Sequence, residues 1–207
     1  MPYQSFTLDT VRSRFGLTVT QATDHFAAIH PVASSNFLNE LIARHLPLVL
    51  GRSNEKPRSE LLVAPILVEV REQLGRQVAL FSGELFNVDR KSDLYGYCDF
   101  LLSRDPLILQ IEAPVVVVAE AKKEDVTAGA AQCIAGMVAA QKFNEKRGKP
   151  VTPLFGVLSS GTNWQFLQLD GTVVTFDIHE YGLFELPRIL GILIYMASGV
   201  KNGGAKP

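Results

Sequence analysis

The stretch "PVVVVAEAKKED", residues 114–125, constrains this chain more than any other segment. Val115–Val118 is apolar at every position, and β-branched residues favour a pleated backbone. A strand that faced water on one side would alternate; one that does not alternate needs both faces covered. This segment therefore predicts an internal strand of a sheet sandwiched between helices. A chain of 207 residues, 47% apolar, can build one sizeable core around such a strand and is short for a multidomain enzyme.

The other segments fit that frame. "TLDTVRSRFG" places Leu8, Val11 and Phe15 at helical spacing, and "SSNFLNELIARHLPLVL" reads as a helix capped by Ser35 or Asn36. Residues 1–55 are expected to form a helical N-terminal extension packed on the core. "SELLVAPILVEVREQLG" reads as a helix from Ser59 to Leu74, perturbed at Pro65. An unbroken turn of 100° per residue sets Glu60 with Leu67, Val70 and Leu74 toward the core and sends Glu69 toward water. Short strands follow in "VALFSGELFNV", "GYCDFLLS" and "PVVVVAEA", then an Ala-rich helix over residues 127–147. "PLFGVLSS", "WQFLQLD" and "TVVTFDI" supply three more strands, with turns at Gly161-Thr162 and Asp170-Gly171. A last apolar helix, "LPRILGILIYMASG", starts at Pro187 and ends at Gly199. The fold class is α/β, bordering α+β: a mixed central sheet flanked by helices, with a core domain over 56–200 and a disordered tail over 201–207.

Several classes drop out. Two cysteines, Cys98 and Cys133, cannot make a disulfide framework or by themselves a structural zinc site. The N-terminus lacks the basic start and apolar run of a leader, and no stretch has the length to span a bilayer, so a cytoplasmic protein without membrane contact is expected. A formal charge of -1 argues neither for nor against nucleic-acid binding, which needs only a local basic strip. Histidines 25, 30, 45 and 179 show no ligand spacing, and Ser159 and Ser160 lack a nucleophile elbow.

Chemistry concentrates at the end of the apolar strand. Glu120 and Lys122 are two apart, so both side chains emerge on one face with Cα atoms about 7 Å apart. The strand has either reached solvent there or its charged end converges on a partner. Asp99, inside an otherwise apolar strand, could meet Glu120 if the two strands pair, and two carboxylates beside one ammonium suit a hard cation such as Mg²⁺. Glu60 could add a further ligand or serve only as a helix-start carboxylate. Gln132, on the helix leaving the Glu120 strand, could reach the same pocket or be a buried, hydrogen-bonded amide. Asp89 is the alternative carboxylate should Asp99 prove remote. Lys123, Lys142, Lys146, Arg147 and Lys149 are the basic residues available to position a phosphate backbone.

Asp99, then Glu120-Ala121-Lys122, with Glu60 before and Gln132 after, resembles the PD-(D/E)XK (restriction-endonuclease-like) nuclease superfamily, and "KPRSELLVAPILVEVRE", "FSGELFNVD" and "GAAQCIAGMVAAQKFNE" resemble a bacterial, especially cyanobacterial, group within it. The resemblance covers roughly residues 56–195. It implies a restriction-endonuclease-like core in which Asp99 and Glu120, with Glu60, hold Mg²⁺ or a substituting Mn²⁺, and Lys122 steers water and the scissile phosphate. Gln132 would match a glutamine found in several branches, but the tyrosine those branches place four residues on is here Gly136, and Cys98 stands where the eponymous proline would be. The implied function is Mg²⁺-dependent phosphodiester hydrolysis, on DNA rather than RNA, by an enzyme that could act as a homodimer or within a DNA-processing assembly. The alternatives are a catalytically silent module that binds nucleic acid or a partner protein, and a structural interaction domain.

Overall fold

The computed structural model describes residues 2–50, 54–122 and 129–199. In chain order the elements are α1 (Pro2–Ser5), α2 (Leu8–Phe15), β1 (Thr18–Ala22), α3 (Asn36–Leu50), α4 (Glu55–Arg58), a π-helical segment (Ser59–Val63), α5 (Ala64–Gln73), β2 (Ala79–Leu85), β3 (Tyr97–Ser103) and β4 (Val115–Ala121). Then come α6 (Ala130–Lys146), β5 (Leu154–Ser159), β6 (Asn163–Asp170), β7 (Val173–Asp177), β8 (Tyr181–Gly182) and α7 (Leu186–Ser198). The expected tail over 201–207 lies outside the described residues.

The strands form one mixed sheet in the order β1-β7-β6-β5-β4-β3-β2, with β8 pairing β6. β4 runs parallel to β5 and β1 parallel to β7; the other neighbours are antiparallel. Every residue of β4 is buried, as its unbroken apolar run requires. Val118 faces a core built with α1, α2 and α6, including Tyr3, Val11, Ile134 and Met137. Val117 and Ala119 face a second core with α3, α5 and α7, including Leu38, Ile66, Trp164 and Ile189. The chain is thus a three-layer α/β protein with its sheet in the middle, and among the described residues no helix is long and apolar enough to cross a membrane.

Two expectations are corrected. Residues 18–22 are not part of a purely helical lead-in; they add edge strand β1, paired with β7 from Thr18↔Val173 to Ala22↔Asp177. The faces assigned to Glu60 and Glu69 are reversed: the Glu60 side chain is 60% exposed, and Glu69 is 7% exposed. The cause is the π-helical segment, whose extra residue per turn shifts the phase assumed for an unbroken α-helix. Pro65 contributes to that irregularity, since it offers no N–H to the Leu61 carbonyl, which instead lies 2.8 Å from His45 Nδ1.

Glu69 has a structural role. Its carboxylate accepts from the Ser35 amide and hydroxyl, each at 2.8 Å, and from Gln73 Nε2 at 2.7 Å, while Ser35 Oγ caps α3 by accepting from Leu38 N. Burial alone would push this carboxyl up, but the Gln73 and Ser35 donors outweigh it and the net shift is downward. A lowered carboxyl pKa contributes stability above the unfolded-state value that is lost as pH falls through the folded one. Glu69→Gln is therefore expected to cost about 1–2 kcal/mol near neutral pH. In urea unfolding the gap between parent and variant should shrink below the ordinary carboxyl range; a constant gap would refute the assignment.

Candidate functional site

The site begins where strand pairing stops. β3 and β4 pair as far as Phe100↔Ala119, so Asp99 and Glu120 come next to each other at the following position. On its other side β3 pairs with β2 at Ser82↔Phe100 and Glu84↔Cys98, and Gly83, between them, has φ 65°. That left-handed backbone suits glycine and interrupts the ladder opposite Asp99. On the β4 side, where the β3–β4 pairing has ended, the Asp99 side chain makes the link instead: Oδ2 accepts from the Ala121 amide at 2.8 Å. The β4–β5 pairing runs on to Ala121↔Ser159, and the Lys122 amide donates to the Ser159 carbonyl at 2.7 Å. The sheet thus splits on one side of β4 and stays closed on the other.

Four of the five expected site residues come together at this split. Glu120 is 1% exposed and accepts from Gln132 Nε2 at 2.6 Å; Gln132 Oε1 accepts from Lys122 Nζ at 3.2 Å, and Nζ lies 3.9 Å from Glu120 Oε2. Burial, then the charge of Asp99, hold the Glu120 carboxyl well above the usual range; Lys122 opposes this, while a hydrogen-bonding contact with Asp99 and the more distant Glu55 add to it. The two readings of Gln132 merge, since it is both a buried, bonded amide and the link between Glu120 and Lys122.

Glu60 is the exception. It lies at the rim, ion-paired with Lys56 at 3.4 Å, outside the contact set of Asp99, Glu120, Lys122 and Gln132. A pocket of about 330 Å³ opens beside Asp99, lined by Glu55, Lys56, Ser59, Glu60, Ser82, Gly83 and the Ala121 end of β4. Glu55, Ser59, Ser82 and Gly83 were not picked out from the sequence. Only Gly83, isolated within a strand pattern, carried a local signal.

Packing explains the residues found at positions 136 and 98. A Cβ at Gly136 would lie 2.8 Å from Val118 Cγ1, so α6 seats too closely on β4 to carry a tyrosine there. Cys98 is a buried thiol, its pKa pushed up by burial and then by Glu120. Asp89 is not a rival ligand: it accepts from Ser92 and from Lys142 Nζ, at 3.1 Å, and those bonds, with Ser92 first, hold its carboxyl low.

The basic residues expected to position phosphate are placed elsewhere. Lys142 lies ten residues along α6 from Gln132, about 15 Å of helix, and Lys146, Arg147 and Lys149 lie further on. Each has a partner within the chain. Lys142 pairs with Asp89, Lys146 donates to the Val88 carbonyl at 2.8 Å, Arg147 approaches Glu112 at 3.7 Å, and Lys149 donates to the Ala113 carbonyl at 3.0 Å. They pin the loops before β3 and β4, and do not line the pocket. Lys123 lies outside the described residues.

Among the described residues no group of three or more His, Cys, Asp or Glu side chains is arranged to hold a metal ion. The two carboxyls that do meet, Asp99 and Glu120, suit a cation that takes one or two carboxylates and keeps its remaining waters, as Mg²⁺ does. Their mutual repulsion is what a dication would relieve. Comparison with protein-family models, with curated proteins and with solved structures yields no match.

Proposed function

We propose that this chain is a Mg²⁺-dependent nuclease of PD-(D/E)XK type, with DNA as its preferred substrate and its three-layer core as the restriction-endonuclease-like fold. One observation carries the proposal: the buried Glu120 carboxyl meets the half-buried Asp99 at a split between strands, with an ammonium held beside it by an amide, next to an open pocket. A buried acid whose ionisation is opposed by burial and by a neighbouring carboxyl costs stability, and such an arrangement is characteristic of working sites.

Asp99 and Glu120 would hold the cation, which would supply charge relief on the attacked phosphate and a more acidic bound water. Gln132 fixes the Glu120 carboxylate with one end of its amide and the Lys122 ammonium with the other. Lys122, 16% exposed, would face the negative charge that grows on the phosphate, in a site where low dielectric strengthens the interaction. Glu60, at the rim, would act through water. The substrate would enter past Lys56 and Ser59.

The test is cleavage of linear, supercoiled and single-stranded DNA and of RNA with Mg²⁺ or Mn²⁺, for the parent, Asp99→Asn and Lys122→Ala. Cleavage by the parent that is abolished by EDTA and reduced about 10²–10³-fold in both variants is the expected result. Cleavage that survives EDTA and both substitutions, or no cleavage together with equal Mn²⁺ binding by parent and Asp99→Asn, would overturn it. A catalytically silent module is the second reading, favoured by the internal engagement of Lys142, Lys146, Arg147 and Lys149. It predicts Mn²⁺ binding without cleavage.

A further inference from the structure

The path of the Lys122 side chain depends on a residue that carries no functional group. Gly129 immediately precedes α6 and has the ordinary right-handed backbone, φ -83° and ψ -5°, which any residue could adopt. A position just before a helix is one where Ser, Thr, Asp or Asn would normally be favoured, because their side chains cap free amides. Conformation therefore does not call for glycine here. Space does: a Cβ at residue 129 would lie 2.4 Å from Lys122 Cε and 3.1 Å from both Cδ and Cγ. The Lys122 stem lies flat across Gly129, and its ammonium reaches Gln132 Oε1 three residues further along.

We propose that Gly129 is a positioning residue for Lys122, its missing side chain forming the channel that delivers the ammonium to Gln132 and Glu120. Adding one methyl group leaves Asp99, Glu120 and the cation-binding face intact. It forces the Lys122 stem sideways, and since the stem is flexible the cost falls mainly on where the ammonium ends. The role in turnover rests on the nuclease reading above; the role in placing Lys122 does not.

The experiment compares parent, Gly129→Ala, Lys122→Ala and the double variant. The first readout is NMR on protein carrying ¹³C-lysine and ¹⁵N-glutamine, with the Lys122 Cε and Gln132 side-chain amide signals assigned by their loss in Lys122→Ala and Gln132→Leu. Gly129→Ala is expected to move both signals while leaving Mn²⁺ affinity within about 2-fold of the parent, as for sites without shared partners. Turnover should fall about 10²-fold, the size of loss that a small misplacement produces. In the Lys122→Ala background Gly129→Ala should cause no further loss of turnover, and any drop in unfolding midpoint caused by Gly129→Ala alone should be restored in the double variant, because the stem it strikes is gone.

Lys122 and Gln132 signals unchanged in Gly129→Ala would overturn the proposal, as would an equal loss of midpoint with and without Lys122. If Gly129→Ala does not fold, recovery of folding in the double variant supports the proposal and its failure to recover overturns it. A parent that cleaves nothing removes the nuclease reading alone, and the NMR and unfolding readouts still decide the role of Gly129.

Discussion

Glu120→Gln is expected to make the metal-free protein more stable while removing divalent-cation binding and cleavage. Glu120 is buried beside a second carboxyl, and its ionisation is opposed first by burial and then by Asp99. Glutamine has the same shape, carries no charge and needs no proton, so it lifts that penalty. Stabilising changes at strained functional positions are commonly worth about 1–2 kcal/mol, and in a chain of this size each kcal/mol moves the unfolding midpoint by about 2–4 °C. The sign of the pH dependence follows from the raised pKa. The native state holds the proton more tightly than the unfolded state, so the parent loses stability as pH rises from the ordinary carboxyl value through the folded one. The advantage of Glu120→Gln should therefore be absent in acid and grow toward neutral and alkaline pH. Scanning calorimetry of both proteins in EDTA across that range is the measurement. A variant less stable than the parent at pH 8 would show that the Glu120 carboxylate is a structural asset and not a functional burden.

Asn144→Ala should cause a large loss of stability although it lies outside the site. Asn144 is fully buried in α6, and both ends of its amide bond one residue of β4: Oδ1 accepts from the Val115 amide at 2.8 Å and Nδ2 donates to the Val115 carbonyl at 2.7 Å. Truncation leaves two buried backbone groups without partners, a loss of about 3 kcal/mol. Asn144→Asp should be similarly harmful, since a carboxylate cannot donate to the Val115 carbonyl. Urea unfolding would read both effects, and a loss below about 1 kcal/mol in both variants would mean that water replaces the amide. The consequence reaches function, because Val115 and Glu120 belong to the same strand and α6 carries both Asn144 and Gln132.

The parts of the site that could be read from the chain are those encoded by short spacing. Glu120 and Lys122 share a face because they are two apart on a strand, and the tertiary structure brings Asp99 to them because two apolar segments, joined by a loop, pair antiparallel. Glu60 and Glu69 were reversed because helical phase was carried unbroken through residues 59–63, where an extra residue per turn rotates everything beyond it. β1 was hidden for a different reason: it is a polar edge strand with no fully buried residue, and its partner β7 lies at the far end of the chain. The basic run at residues 142–149 looked available because a sequence shows charge density but not the carbonyls and carboxylates that loops bring to it.

The sequence by itself determined the layered α/β architecture, because an unalternating apolar strand has no stable place except between two covered faces. It also determined which residue types reach the end of that strand. Only the tertiary structure decided that the Asp99 carboxyl would replace a missing rung of the ladder, that Gln132 would join Glu120 to Lys122, that Gly83 would take a left-handed backbone opposite Asp99, and that Gly129 would leave space for the Lys122 stem. Those outcomes depend on distances between elements remote in the chain, set by close packing of whole faces, and local periodicity carries no information about them.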